Sequence, residues 1–236
     1  MEALKLKDFL SYRYLSGVQY APDGSKAAFV VANTNEEESG YERRLWLWDG
    51  QLRQLTDLGK EGSFLWEDGD TLLFPADRSA KEKKRREAGE EFTAYYRLSL
   101  SGGEALPAFT LPFSVSSLKP LGEGKYLAIG SVDAQRPDYF EMTEKARAEV
   151  AKEYAEDKDY EVFDEIPFWM NGGGVINKRR QALFLITAEP WEIRKVTEDP
   201  YFSADSAAVQ LRVMQAVSAL TGLGSDKISV IKMKRQ

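Results

Sequence analysis

The sequence predicts an all-β fold, a partial β-propeller of about three four-stranded blades with a helical insert and an α+β C-terminal tail. A β-hairpin signal occurs three times, at residues 45–56 (LWLWDGQLRQLT), 95–110 and 182–197, and each copy ends on an apolar residue and a threonine: Leu55-Thr56, Phe109-Thr110 and Val196-Thr197. Ahead of each hairpin stands an acidic-glycine pair, Asp23-Gly24, Asp68-Gly69 and Glu123-Gly124, at intervals of 45 and then 55 residues. Such intervals suit propeller blades, whose period is about 40 to 50 residues. The order inside each unit is also constant: lead strand, acidic-glycine turn, apolar strand, polar insert, hairpin. A β-sandwich, the competing reading, repeats strands and turns but requires no such order.

Each element follows from local chemistry. Residues 4–13 read as a lead-in with a helical turn around Asp8-Phe9-Leu10. A strand over residues 14–20 then meets Ala21-Pro22-Asp23-Gly24, where proline presets φ and Asp-Gly closes a turn. Residues 26–32 contain the run AAFVVA, expected of a strand covered on both faces. Residues 33–44 (NTNEEESGYERR) read as a solvated loop, and the 45–56 hairpin turns on Asp49-Gly50 as a two-residue loop. The second unit has strands at 63–66 and 71–74, an insert at 81–91, and a hairpin turning at Ser101-Gly102-Gly103. The third has strands at 115–118 and 126–129, a long insert, and a hairpin turning through AEPW.

A fourth unit starts at Pro200-Tyr201-Phe202-Ser203 and the pattern then breaks. Residues 205–221 read as a helix, with Val209, Val213, Ala216, Val217 and Leu220 at three- and four-residue steps, Ser203 or Asp205 as cap and Gly222 as stop. Residues 226–233 alternate like a strand. The expected organisation is therefore a partial propeller over residues 1–204 and a helix-strand tail over 205–236.

Composition narrows the chemistry. The 236 residues are 43% hydrophobic and 12% aromatic, ample for a packed core. No run reaches the roughly 18 apolar residues of a membrane span, and residues 1–10 alternate charge with apolar side chains, unlike a signal peptide, so a cytoplasmic location is expected. With no cysteine and no histidine, the chain supplies no disulfide, no Ser-His-Asp or Cys-His arrangement and no His-ligated metal. Nor does it hold a Gly-x-Ser-x-Gly elbow or a P-loop. No catalytic residue, metal site or cofactor is expected, and the net charge of −6 argues against nucleic acid as a partner.

Three inserts hold the candidate functional residues. Lys81 to Arg86 (KEKKRR) is the one concentrated basic run; flanked by Glu87, Glu90 and Glu91, it reads as a mobile, solvated loop rather than a binding patch. Residues 141–159 read as an acidic surface helix with Ala146, Val150 and Tyr154 in an apolar stripe and Lys145 paired to Glu149. Residues 160–180 (YEVFDEIPFWMNGGGVINKRR) are the least generic stretch. There Asp164 and Glu165 are candidates to contact a peptide amino terminus, Trp169 sits in an exposed-looking aromatic string, and the Asn171 to Gly174 turn reads as a hairpin tip.

At this stretch the chain resembles the propeller domain of the prolyl oligopeptidase family, in its acylaminoacyl-peptidase and dipeptidyl-aminopeptidase-like branch. The residues that carry the resemblance are VQYAPDGSKAAF at 18–29, like that family's first-blade opening, and Asp164-Glu165-Ile166-Pro167-Phe168-Trp169 with Asn171-Gly172. Lys178-Arg179-Arg180 and the following LFLI extend it, and it covers residues 8–208. The resemblance implies a propeller that caps a C-terminal α/β-hydrolase domain and screens substrates by size. It places the catalytic serine, aspartate and histidine in that hydrolase domain, which has no counterpart here, so no catalytic residue carries over.

The expected function is thus the non-catalytic, substrate-gating propeller portion of a cytoplasmic serine peptidase, truncated before its hydrolase domain. Its expected partners are peptides and a hydrolase domain or other protein, with no nucleic acid and no membrane. A three-blade arc leaves two apolar end faces, to be covered by the tail helix or by a second copy of the chain. The alternatives are a stand-alone interaction scaffold of the WD-repeat or periplasmic-translocation kind, and a carboxylate-only enzyme as in glycoside hydrolysis, for which no pair is singled out.

Overall fold

The structure, a computed structural model, describes residues 5–157, 159–160, 162–163, 169–170, 174–175 and 178–197. The predicted tail at 205–236 lies outside the described residues. A 3-10 turn at Leu6–Ser11 opens the chain, where a helical turn was expected.

Three four-stranded antiparallel sheets follow, each a meander in chain order. Blade 1 is β1 (Arg13–Tyr20), β2 (Ala27–Asn35), β3 (Gly40–Trp48) and β4 (Leu52–Gln54). Blade 2 is β5 (Leu65–Trp66), β6 (Thr71–Pro75), β7 (Thr93–Ser99) and β8 (Leu106–Leu111), with helix α1 (Ala80–Glu87) inserted between its second and third strands. Blade 3 begins with β9 (Val115–Gly122) and β10 (Lys125–Asp133); its insert holds α2 (Glu144–Glu156) and a separate two-stranded hairpin of β11 (Trp169–Met170) and β12 (Gly174–Val175). It closes with β13 (Arg179–Thr187) and β14 (Glu192–Lys195). The expected meanders and the helical insert are therefore present.

The chain divides into two compact units, Met1–Glu87 with Phe92–Leu111, and Ala88–Glu91 with Pro112–Gln236. In the first unit blades 1 and 2 share one core. Ala28, Val30, Leu45 and Leu47 of blade 1 bury themselves with Phe64, Trp66, Leu72, Phe74, Tyr96 and Leu98. Pairing across β2 and β3 sets this up: Val30 opposes Leu45 and Ala28 opposes Leu47, so all four side chains share one face. Polar straps cross between the two blades. Gln19 Nε2 donates to the Phe64 carbonyl at 3.1 Å, Trp66 Nε1 to the Gln19 carbonyl at 3.3 Å, and Arg53 Nη2 to the Leu100 carbonyl at 3.2 Å.

The other face of blade 1 pairs Leu15 with Val31, and Tyr20 with Ala27, Trp48 and Leu52 in a row. Leu15, Tyr20, Trp48 and Leu52 are exposed there, whereas Ala27, Phe29 and Val31 of β2 on the same face are buried.

In the second unit, β10 and β13 pair in unbroken register from Lys125↔Thr187 to Asp133↔Arg179. Phe184, fully buried, stacks on Phe113 at 4.2 Å between ring centroids and meets the edge of Phe140 at 5.3 Å. Helix α2 is capped by Thr143, whose hydroxyl accepts from the Ala146 amide at 3.3 Å, and it buries Val150 and Ala151. Of the predicted stripe Val150 is buried, while Tyr154 lies on the surface with its hydroxyl donated to Asp133. Glu149 pairs with Lys152 at 2.8 Å, and the expected Lys145 also acts on it electrostatically.

Three local expectations need correcting. Most of residues 33–44 is strand, since β2 runs to Asn35 and β3 starts at Gly40, leaving a tight turn; cross-strand pairing extends polar sequence that has no hydrophobic period. The turn at Asp49-Gly50 spans three residues because Trp48 opposes Leu52, and a two-residue turn falls instead at Glu123-Gly124, both with positive φ. Residues 81–86 are helix rather than loop. Ser79 accepts from the Glu82 amide at 3.1 Å and Glu82 Oε2 accepts from the Ser79 amide at 2.8 Å, a reciprocal cap that starts α1.

Candidate functional site

Of the residues singled out from sequence, Asp164 and Glu165 lie outside the described residues. Trp169 lies in β11, opposite Val175 of β12, and Met170 opposes Gly174, while residues 171–173 of the predicted hairpin tip lie outside the described residues. Arg85 and Arg86 of the basic run have their guanidinium carbons 4.3 and 4.2 Å from the Phe92 ring centroid. Arg86 also pairs with Asp77 at 3.0 Å and donates to the Phe92 carbonyl at 2.8 Å, so part of the run serves to seat α1.

A cleft that sequence reasoning did not find lies in the first unit. It encloses about 570 Å³ between the β4–β5 connection, the ends of β6 and β7, and helix α1. Leu58, Pro75, Ala76 and Ala94 supply apolar wall, and Lys60, Glu61, Asp77, Lys83, Arg86 and Glu87 supply charge.

Backbone pairing positions the acid. Gly59, at φ +78°, turns the connection back along β3: its carbonyl accepts from the Arg43 amide at 2.7 Å, and the Glu61 amide donates to the Arg43 carbonyl at 3.2 Å. Glu61 is thereby drawn in until its side chain is 1% exposed. Its Oε2 accepts from the Lys60 amide at 3.2 Å, while Oε1 lies 3.5 Å from Arg78 Nη1 and has no hydrogen-bond partner among the described residues. A buried carboxylate oxygen with unused acceptor capacity is costly, and the nearby Arg78 charge offsets part of that cost.

The wall nearest α1 is held by hydrogen bonds of Glu82. Glu82 Oε2 accepts from the Tyr96 hydroxyl at 2.6 Å and from the Arg78 amide at 2.9 Å, which ties α1 and its approach to β7. Burial pushes the Tyr96 hydroxyl up to about 12, helped by the adjacent Glu82 carboxylate. For Glu82 itself burial works upward, but the donors from Tyr96, Ser79 and Arg78 outweigh it and hold the carboxyl below its ordinary value.

A second cavity, in the other unit, is lined by Phe113, Phe140 and Phe184 among others and is only about 10 Å³, room for about one water. Among the described residues no three acidic side chains converge to hold a metal, and no helix is long and apolar enough to cross a membrane.

Three consecutive four-stranded meanders define blades of a β-propeller. The chain is similar in sequence to part of a peptidase, and in fold to part of acylaminoacyl peptidases. No family model matches it. The uncharacterized peptidase YuxL of Bacillus subtilis (strain 168) is 26% identical over 202 residues, which cover 79% of this chain and 27% of that protein. An acylaminoacyl peptidase of Pyrococcus horikoshii has the same fold over 83% of this chain and 26% of its own, with a TM-score of 0.56 at 18% identity. An acylaminoacyl peptidase in complex with Z-Gly-Gly-Phe-chloromethyl ketone matches over 80% of this chain and 26% of its own, with a TM-score of 0.53 at 17% identity. The chain thus spans about a quarter of the length of the proteins it resembles.

Proposed function

We propose that this chain is the non-catalytic, substrate-gating propeller portion of a cytoplasmic serine peptidase of the prolyl oligopeptidase and acylaminoacyl-peptidase type, its residues 1–204 being propeller and 205–236 an added tail. The observation that carries this is the threefold meander in fixed order, together with the likeness to YuxL and to acylaminoacyl peptidases. Without histidine or a Gly-x-Ser-x-Gly elbow the chain lacks the groups that activate a serine, so cleavage belongs to a hydrolase domain that it serves. Peptides and that domain are its partners.

Two measurements test this. The purified chain is incubated with a fluorophosphonate probe and with N-acetyl-alanine p-nitroanilide; no label and no turnover are expected, and a labelled serine would overturn the non-catalytic assignment. The chain is then fused to the hydrolase domain of a peptidase of the acylaminoacyl-peptidase type. Cleavage of long peptides should fall while that of short ones is kept, and equal cleavage of both would overturn gating.

The exposed apolar side chains of Leu15, Tyr20 and Leu52 favour a second reading, a scaffold that binds another protein through this part of blade 1. Loss of partner binding without any effect on peptide selection in Leu15→Ser would support it over the first.

A further inference from the structure

We propose that two copies of this chain pair face to face through blade 1, about a two-fold axis that runs along its strands and sets Trp48 of each copy over Ala27 of the other, and Tyr20 over Leu52. The inference rests on the scaffold reading for its surface and names the occupant, a second copy of the chain.

Strand register dictates the fit. Tyr20, Ala27, Trp48 and Leu52 lie abreast on one face, in a single row across β1, β2, β3 and β4. Their exposures of 67%, 8%, 48% and 65% make the row high at both edges, low at Ala27 and raised at Trp48. A two-fold along the strands reverses the order of the row, so the raised position meets the low one and the two edges meet each other. Sheets that pack in this aligned way keep their strands within about 30° of each other, which such an axis permits. Polar side chains on the same face are already engaged. Arg44, opposite Val31, pairs with Glu42 at 2.7 Å and Asp57 at 3.2 Å, and Gln54, opposite Trp46, donates from Nε2 to the Thr56 carbonyl at 2.8 Å. Covering these two leaves neither without a partner.

Area and continuity agree. Leu15, Tyr20, Trp48 and Leu52 together offer roughly 400 Å² of exposed apolar surface. A stable interface buries about 800 Å² per partner, of which somewhat more than half is apolar. The opposite face of the same sheet, through Ala28, Val30, Leu45 and Leu47, already packs against blade 2. The second copy repeats on the outer face a mode of packing that blade 1 uses on the inner one.

The test is sedimentation velocity of the whole chain over a concentration series up to about 100 μM, where a reversible dimer is expected. Tyr20→Lys and Leu52→Glu are exposed changes, and circular dichroism and melting check that each variant is folded. Each should weaken dimerisation at least about tenfold, because it sets two charges against apolar partners. An equimolar mixture of the two variants should associate again. Across the two-fold the introduced lysine of one copy then faces the introduced glutamate of the other, and the second Tyr20 and Leu52 pair is native. A monomeric native chain, an assembly larger than a dimer, or undiminished dimerisation in either variant overturns the proposal. Failure of the mixture to associate overturns the two-fold arrangement. A monomeric chain whose Leu15→Ser variant loses a different protein overturns the second copy as occupant while leaving the scaffold reading in place.

Discussion

The hydroxyl oxygen of Thr56 accepts a hydrogen bond at 2.9 Å from the backbone amide of Leu45, a fully buried residue in the middle of blade 1. Thr197 does the same for Leu183 in blade 3 at 3.1 Å. In both, the preceding residue makes the last backbone bond to the same strand: Leu55 donates to the Leu45 carbonyl at 2.8 Å and Val196 to the Leu183 carbonyl at 2.7 Å. The threonine thus supplies the acceptor that the departing strand no longer can. Blade 2 is different, for Thr110 pairs with Ala94 inside β8 and its side chain is exposed.

Replacing Thr56 by valine keeps the shape and leaves the Leu45 amide buried without an acceptor. We expect Thr56→Val to cost about 1 to 3 kcal/mol, read from urea unfolding, and Thr110→Val to cost almost nothing. Equal losses at the two positions would show that the hydroxyl acceptor is not what the repeat preserves.

Gly130 in β10 faces the ring of Phe113, and a Cβ there would lie 2.5 Å from Phe113 Cδ2 and 3.1 Å from Phe184 Cε2. Phe113 cannot retreat easily, being 2% exposed and stacked on Phe184. Gly130→Ala should therefore destabilise by about 1 to 3 kcal/mol. Gly130→Ala combined with Phe113→Leu should recover part of that in thermal melts.

Helix α1 has no buried residue and depends on its cap and its straps. Ser79→Ala should cost about 1 kcal/mol and raise amide exchange across residues 80–87 first. Glu82 adds a pH dependence. Its folded carboxyl lies below the ordinary value of 4.5, so its contribution is present above that pH and is lost as pH falls through the depressed folded value. Glu82→Gln should flatten the acid limb of the stability curve below the ordinary carboxylate range, and an unchanged limb would remove Glu82 from the account.

Arg78 is the counter-charge to a nearly inaccessible Glu61. Arg78→Ala leaves that carboxylate buried alone, and an outcome of about 3 to 5 kcal/mol lost is expected. Glu61→Gln, which removes the charge and keeps the shape, should cost less in the same denaturant series.

Much of the fold was legible from residues. The acidic-glycine pairs, the apolar runs at Phe29 and Leu72, and the hairpin at Ala182 locate all three meanders, because strand period and turn chemistry are local. What escaped was local too in one case: Ser79 and Glu82 spell a capping box in front of a highly charged run, and its lack of apolar periodicity hid the helix. The cleft escaped for another reason. Glu61 is one of 38 acidic residues, and Gly59-Lys60-Glu61-Gly62 reads as an ordinary polar connection.

The sequence by itself determined the module, its number of copies and the chemistry denied to a chain without histidine or cysteine, since these depend on residue type and spacing along the chain. Only the tertiary structure decided that Glu61 is buried with one oxygen unsatisfied, that Thr56 closes a ladder, and that Gly130 makes room for Phe113. Each of these depends on which distant segments the sheets bring together, and burial by a neighbouring strand leaves no mark in the sequence at the residue it covers.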